Sequence, residues 1–182
     1  MMKGRKVSFL PIFKEQCHYI GNKIKNAETA SIIKIALCLV LFAFLVFVYH
    51  SSSAIDVPMS KIDYALRSDT DIAKMRKCND RDLVRFIGLN HSDYKGYLYY
   101  KSKEALGVDE VLIVKVISKE QLTDLRTAVN TRIDSQIHTF ESYGPEQVAM
   151  LKNAIIYTRG KYLYYSTAKN PDKYLGVLKH VI

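Results

Sequence analysis

The side chains that could do chemistry are few. Beyond residue 50 the histidines are His91, His138 and His180. His91 stands in Asn90-His91-Ser92-Asp93, where an imidazole and a carboxylate two residues apart could share a metal ion or pass a proton. Asn, Ser and Asp are equally the residues a tight turn requires. Asp109 and Glu110 put two carboxylates side by side before an apolar run. Neighbouring side chains on a strand point to opposite faces, so these two are not expected to act on one proton. His138 and His180 lie in helical patterns and read as half-exposed structural residues. The chain carries no Gly-rich phosphate loop, no GxSxG elbow, no HExxH and no CxxC. Neither a metal site nor a cofactor is expected.

Tyrosine is the other candidate, with 13 in the chain. Residues 96–100 read GYLYY and residues 162–165 read YLYY. On strands, Tyr97 and Tyr99 share one face and Tyr162 and Tyr164 another. If the two strands pair, they form a tyrosine ladder, whose flat rings and hydroxyls suit a sugar ring or a peptide. The competing reading is ordinary cross-strand aromatic pairing beneath a helix. Tyr143, ending a helix, and Tyr162, setting a hairpin, are further binding candidates. The full set is Tyr97, Tyr99, Tyr143, Tyr162 and Tyr164.

These residues need elements to hold them. Residues 60–67 predict a short helix with Ile62, Ala65 and Leu66 inward, and Asp80 can cap a second through Ile87, stopped by Gly88. Residues 95–101 read as a strand, and residues 110–117, EVLIVKVI, as a central strand apolar on both faces. Ser118 with Gln121 offers a capping box. The helix behind it carries Leu122, Leu125, Val129, Ile133, Ile137 and Phe140 at steps of three and four. Pro145 opens another helix, residues 154–159 and 161–167 make a hairpin, and Asn170-Pro171 starts a final helix. The order α-α-β-β-α-α-β-β-α predicts an α+β fold, a largely antiparallel four-stranded sheet covered by helices.

Residues 35–49 form an unbroken apolar run, and residues 30–50 predict a single transmembrane helix of about 30 Å. Six basic residues precede it against Glu15 and Glu28, while no Lys or Arg follows until Lys61. The positive-inside rule therefore places residues 1–29 in the cytoplasm as a basic tail and the rest outside. A juxtamembrane helical region at 51–79 and an extracytoplasmic domain at 80–182 complete the expected division. Ser52 and Ala54 also offer a signal-peptide cleavage pattern, but the long basic region favours a retained anchor. In the tail, Phe13, Cys17, Ile20 and Ile24 allow an amphipathic helix on the membrane, or the tail is disordered.

Composition sets the outer bounds. The 182 residues hold 48% hydrophobic and 25% charged side chains, a globular chain of one domain with an appendage. Three cysteines, Cys17, Cys38 and Cys78, fall in different compartments and cannot form a disulfide framework or a zinc cluster. Cys78 reads as a buried small hydrophobe, with interchain pairing the alternative. The formal charge of +9 divides as +5 in residues 1–50 and +4 in the remainder. The outer basic residues are interleaved with acids, which argues against nucleic acid as a partner.

The strand DEVLIVKVI, the following helix with Arg126 and Arg132, FESYGPEQVAML, the hairpin AIIYTRGKYLYYST and the final NPDK carry a resemblance. Tyr143-Gly144-Pro145-Glu146 and Arg159-Gly160-Lys161-Tyr162 are its most specific parts. Over roughly its C-terminal 100 residues the chain resembles the bacterial domain-of-unknown-function family numbered 4358. The resemblance implies a cell-envelope protein with an N-terminal anchor or lipoprotein signal. This chain departs from the lipoprotein versions, since Cys38 sits inside the apolar run. The family supplies no catalytic residues.

The expected function is a single-pass, membrane-anchored accessory or binding protein of the bacterial cell envelope, facing a membrane-protein partner or a cell-wall polymer. The alternative is an envelope hydrolase or transferase using His91, Asp93 and the tyrosines.

Overall fold

A computed structural model describes residues 31–48 and 54–182. The basic tail, Tyr49 and Ser52 lie outside the described residues, as do the readings that rest on them. The chain divides into two compact units after Ser51.

In the first unit α1 (Ser31–Val48) is long and apolar enough to cross a membrane. None of its side chains is buried by protein: Leu37, Phe42 and Phe47 are each about two-thirds exposed.

The second unit, Ser52–Ile182, is α+β. Its helices are α2 (Met59–Asp69), α3 (Asp80–Ile87), α4 (Gln121–Phe140), α5 (Pro145–Lys152) and α6 (Pro171–Val181). Its strands are β1 (Arg76–Lys77), β2 (Tyr94–Lys101), β3 (Glu110–Val116), β4 (Ile155–Arg159) and β5 (Tyr162–Ser166). They form one antiparallel sheet in the order β1-β2-β3-β5-β4. The sheet thus has five strands where the sequence predicts four. The added strand is two exposed basic residues at an edge, too short for any alternation to reveal. Charge at that position also discourages further strand pairing.

Every residue of β3 is buried, as its two-sided apolar pattern predicts. Leu98, Tyr100, Val111, Ile113, Tyr162 and Tyr164 face Ile62 and Leu66 of α2 and Leu175 and Leu178 of α6. Tyr99, Leu112, Val114, Leu163 and Tyr165 face Leu83 and Ile87 of α3 and Leu125 and Val129 of α4. The sheet is therefore sandwiched between two helical layers. α5 packs on the end of α4, burying Leu151 with Phe140 and Val108. α2 completes the first core, packing Ile62 and Leu66 with the sheet and α6. Cys78 is buried in the second core, and burial pushes its thiol up to about 11.

Helix starts differ from expectation in detail. Asn79, not Asp80, caps α3: its Oδ1 accepts from the Asp82 N–H at 3.1 Å, while Asp82 Oδ2 accepts from the Asn79 N–H at 3.2 Å. Gly88 at φ +80° ends that helix as predicted. At α4, Gln121 Oε1 reaches back to the N–H groups of Ile117 and Ser118, at 2.9 and 3.2 Å, but the Ser118 side chain caps nothing and the helix opens at Gln121. The β4/β5 hairpin turns through Gly160 and Lys161, where Gly160 takes φ +57°.

Paired carboxylates make the domain sensitive to acid. Burial tends to raise the Asp63 carboxyl, but Lys77, Tyr100 and Arg67 outweigh it and hold it below the ordinary value. Arg76, at 2.7 Å, does the same for Asp82. A depressed carboxyl binds fewer protons folded than unfolded, so its stabilisation is complete above the unfolded value of about 3.9 and disappears as pH falls through the folded one. Denaturant unfolding of the full chain at pH 7 and pH 3 is expected to show the loss, and Asp63→Asn to reduce it. An unchanged acid-side loss in that variant would rule the Asp63 cluster out as its source.

Candidate functional site

β2 and β5 never pair; β3 lies between them. Tyr97 and Tyr99 face α3 and α4, whereas Tyr162 and Tyr164 face α2 and α6. No ladder forms, because its condition, direct pairing of the two strands, is not met. Tyr99, Tyr162 and Tyr164 are at most 2% exposed. The Tyr162 hydroxyl donates to the Val57 carbonyl and accepts from the Val57 N–H, both at 2.9 Å. The Tyr164 hydroxyl donates to the Pro171 carbonyl at 2.6 Å. Tyr97 is half-buried and donates to Asp80 Oδ1 at 2.5 Å. Tyr143 is exposed and tilts against Phe140, with ring centroids 5.4 Å apart.

His91 meets Asp80, not Asp93: its Nδ1 lies 3.7 Å from Asp80 Oδ2. Both side chains are more than half exposed, and Asn90 Oδ1 accepts from the Ser92 N–H, as a turn does. Burial, then the bond to Asp80, raises the Tyr97 phenol, so it stays a donor there. Among the described residues no group of three His, Cys, Asp or Glu side chains could hold a metal.

A buried polar cluster forms around Glu110, whose side chain is fully buried at the first position of β3. Its backbone is held on both sides: the N–H donates to Thr167 Oγ1 at 3.1 Å, and the carbonyl accepts from the Thr167 N–H at 3.0 Å. The carboxylate points beneath α4. Arg132 donates from Nη2 to Oε1 at 2.6 Å and from Nε to Oε2 at 3.4 Å. Lys101 of β2, paired with Glu110 in register, also donates to Oε1. Burial disfavours the Arg132 charge, but Glu110 outweighs this and raises its pKa. Phe86 of α3 lies against both cations, 4.5 Å from Lys101 Nζ and 5.4 Å from Arg132 Cζ.

The cluster opens into a cleft of about 300 Å³ lined by Phe86, Lys101, Ser102, Arg132, Gln136 and Thr139, among others. Gln136 is only 6% exposed, yet its Oε1 has no hydrogen-bond partner among the described residues. The hydroxyls of Tyr99 and Tyr165 are likewise buried and unpartnered, and burial followed by the nearby Glu110 charge raises both phenols. Three orphan polar atoms around one charged cluster are costly unless something else satisfies them. Both Glu110 oxygens are engaged, so the carboxylate is placed for holding cations, not for taking a proton from a substrate.

Of this site, Phe86, Lys101 and Gln136 were not legible in the sequence. Gln136 sits on the helix stripe between Ile133 and Ile137, a polar residue at a core position, and that was the one available signal.

A family model described as Domain of unknown function (DUF4358) matches residues 68–168, more than half of the chain, and the chain belongs to that family. The match starts ahead of the resemblance read from the sequence and ends before Asn170-Pro171-Asp172-Lys173. No curated protein and no solved structure matches the chain.

Proposed function

We propose that this member of the DUF4358 family is a single-pass, membrane-anchored accessory protein of the bacterial cell envelope. Its N-terminus is cytoplasmic, and its α+β domain binds a partner or polymer outside the membrane. Support for the anchor comes from α1, which is long and apolar enough to cross a membrane and whose large apolar side chains are exposed among the described residues. The observation that carries the binding reading is the buried Gln136 acceptor, without a partner among the described residues, in a cleft beside the Glu110 cluster of one carboxylate and two cations. The open Gln136 acceptor suits a group that donates a hydrogen bond, a sugar hydroxyl or an amide. Arg132 and Ser102 can supply the complementary donors, while the Thr139 hydroxyl, which donates to the Ser135 carbonyl at 2.8 Å, can accept.

The test is capture from intact cells by the full-length protein carrying a photoreactive residue at Thr139, which is exposed on the cleft wall. One dominant adduct, lost when Gln136→Leu is added, is the expected result. Gln136→Leu itself should leave stability unchanged or raise it, because it removes an orphan acceptor. No adduct above background, or an adduct indifferent to Gln136→Leu, would overturn the cleft as the binding site. Protease added outside wall-stripped cells should degrade the domain; full protection would reverse the orientation.

A further inference from the structure

A second cavity, of about 260 Å³, lies at the other end of β3. Lys115, on the opposite face from Glu110 and about 17 Å along the strand, forms its floor. Lys119, Lys161, Asp56, Tyr162 and Gly160 form the walls. Residues 54–58, the first described after α1, are tied down here. Lys115 is 8% exposed and donates to the Val57 carbonyl at 2.9 Å and to the Asp56 carboxylate. Val57 is bonded twice by Tyr162.

Asp56 answers only part of the positive charge. Lys161 uses one donor on the Ile117 carbonyl at 2.6 Å, and the Lys119 ammonium has no hydrogen-bond or ion-pair partner among the described residues, although Glu120 lies near enough for the Lys161 and Lys119 charges to help lower its carboxyl after the Ser118 hydroxyl. Each ammonium carries three donors, so Lys119 and Lys161 keep most of theirs available at the cavity wall. Compact ammonium groups of this kind bind phosphate as point charges. Only residues 49–53 separate this cavity in sequence from the apolar helix.

We propose that the cavity of Lys115, Lys119 and Lys161 receives the phosphate of an anionic phospholipid headgroup, seating the domain on the membrane that holds its anchor. The inference rests on the anchored reading above. A phosphodiester with its glycerol suits the mixed lining, in which Tyr162 and Ala54 add apolar surface to the lysines.

The experiment is ¹⁵N NMR of the full-length chain in nanodiscs of phosphatidylcholine, with or without phosphatidylglycerol. Saturable amide shifts at Gly160, Lys161 and Lys119 are expected only with phosphatidylglycerol. Lys119→Gln and Lys161→Gln should each weaken the apparent affinity about fivefold, from roughly 1 kcal/mol per lysine near an anionic surface. Lys152→Gln, which removes an exposed charge elsewhere, should change nothing. Equal loss in all three variants would reduce the effect to general attraction and overturn the site. Inorganic phosphate reproducing the shifts in pure phosphatidylcholine would overturn the lipid source, and no shift with either would overturn the cavity as a phosphate site. A chain that does not enter the nanodiscs at all would instead sink the anchored reading.

Discussion

Glu110→Gln is expected to cost the domain about 3–5 kcal/mol, the largest effect of any conservative substitution in the chain. The change preserves shape and removes one charge. Arg132 and Lys101 then remain against the apolar face of Phe86 with no anion, one largely buried and the other 13% exposed. Their desolvation is no longer offset, and that loss exceeds any single hydrogen bond. Urea unfolding of the full-length chain should show the midpoint falling with the slope unchanged. Removing all three charges, in Glu110→Leu with Arg132→Met and Lys101→Met, should recover much of the loss, because a buried ion cluster replaced by apolar side chains leaves no orphan charge. A Glu110→Gln loss below about 1 kcal/mol would mean that water reaches the cluster and that it is an ordinary surface ion pair.

Tyr164→Ala is expected to cost about 3–5 kcal/mol, the range for deleting a buried aromatic ring. The ring is fully buried between the sheet and α6, opposite Ile113 on β3 and Tyr157 on β4. Tyr164→Phe keeps the ring and loses only the bond to the Pro171 carbonyl, about 1 kcal/mol. The contrast decides between the two readings of the tyrosine motif. A core residue loses stability with the ring, whereas a surface stacking platform loses binding and keeps its stability. An Ala variant as stable as wild type would show that the ring is not packed and would restore the platform.

Much of this architecture was legible locally. The apolar run of α1, the two-sided apolar β3, the stripe along α4 and the Gly160 turn all follow from periods of 3.6 or 2 and from backbone preference. Each needs only neighbours along the chain. Asn79 is also readable, since Asn with Asp three residues on is a capping pattern, although Asp80 beside it competes for the same role. The two-residue β1 was not legible, having no period and no apolar face.

The sequence by itself determined an apolar helix ahead of an α+β domain, the composition of its central strand, and the absence of the common catalytic motifs. The tertiary structure decided which residues meet. Strand order is a long-range property: β3 inserted between β2 and β5 separates the tyrosine motifs, and the register puts Tyr97 and Tyr99 on one face and Tyr162 and Tyr164 on the other. The same order joins Lys101 and Glu110 across one ladder, and Arg132 of α4 reaches the same carboxylate. It also gathers Lys115, Lys119 and Lys161 at one end of the sheet, although acids are interleaved with bases along the chain. Side-chain charge has no period that records its partner; the partner is chosen by whichever strand the apolar faces bring alongside.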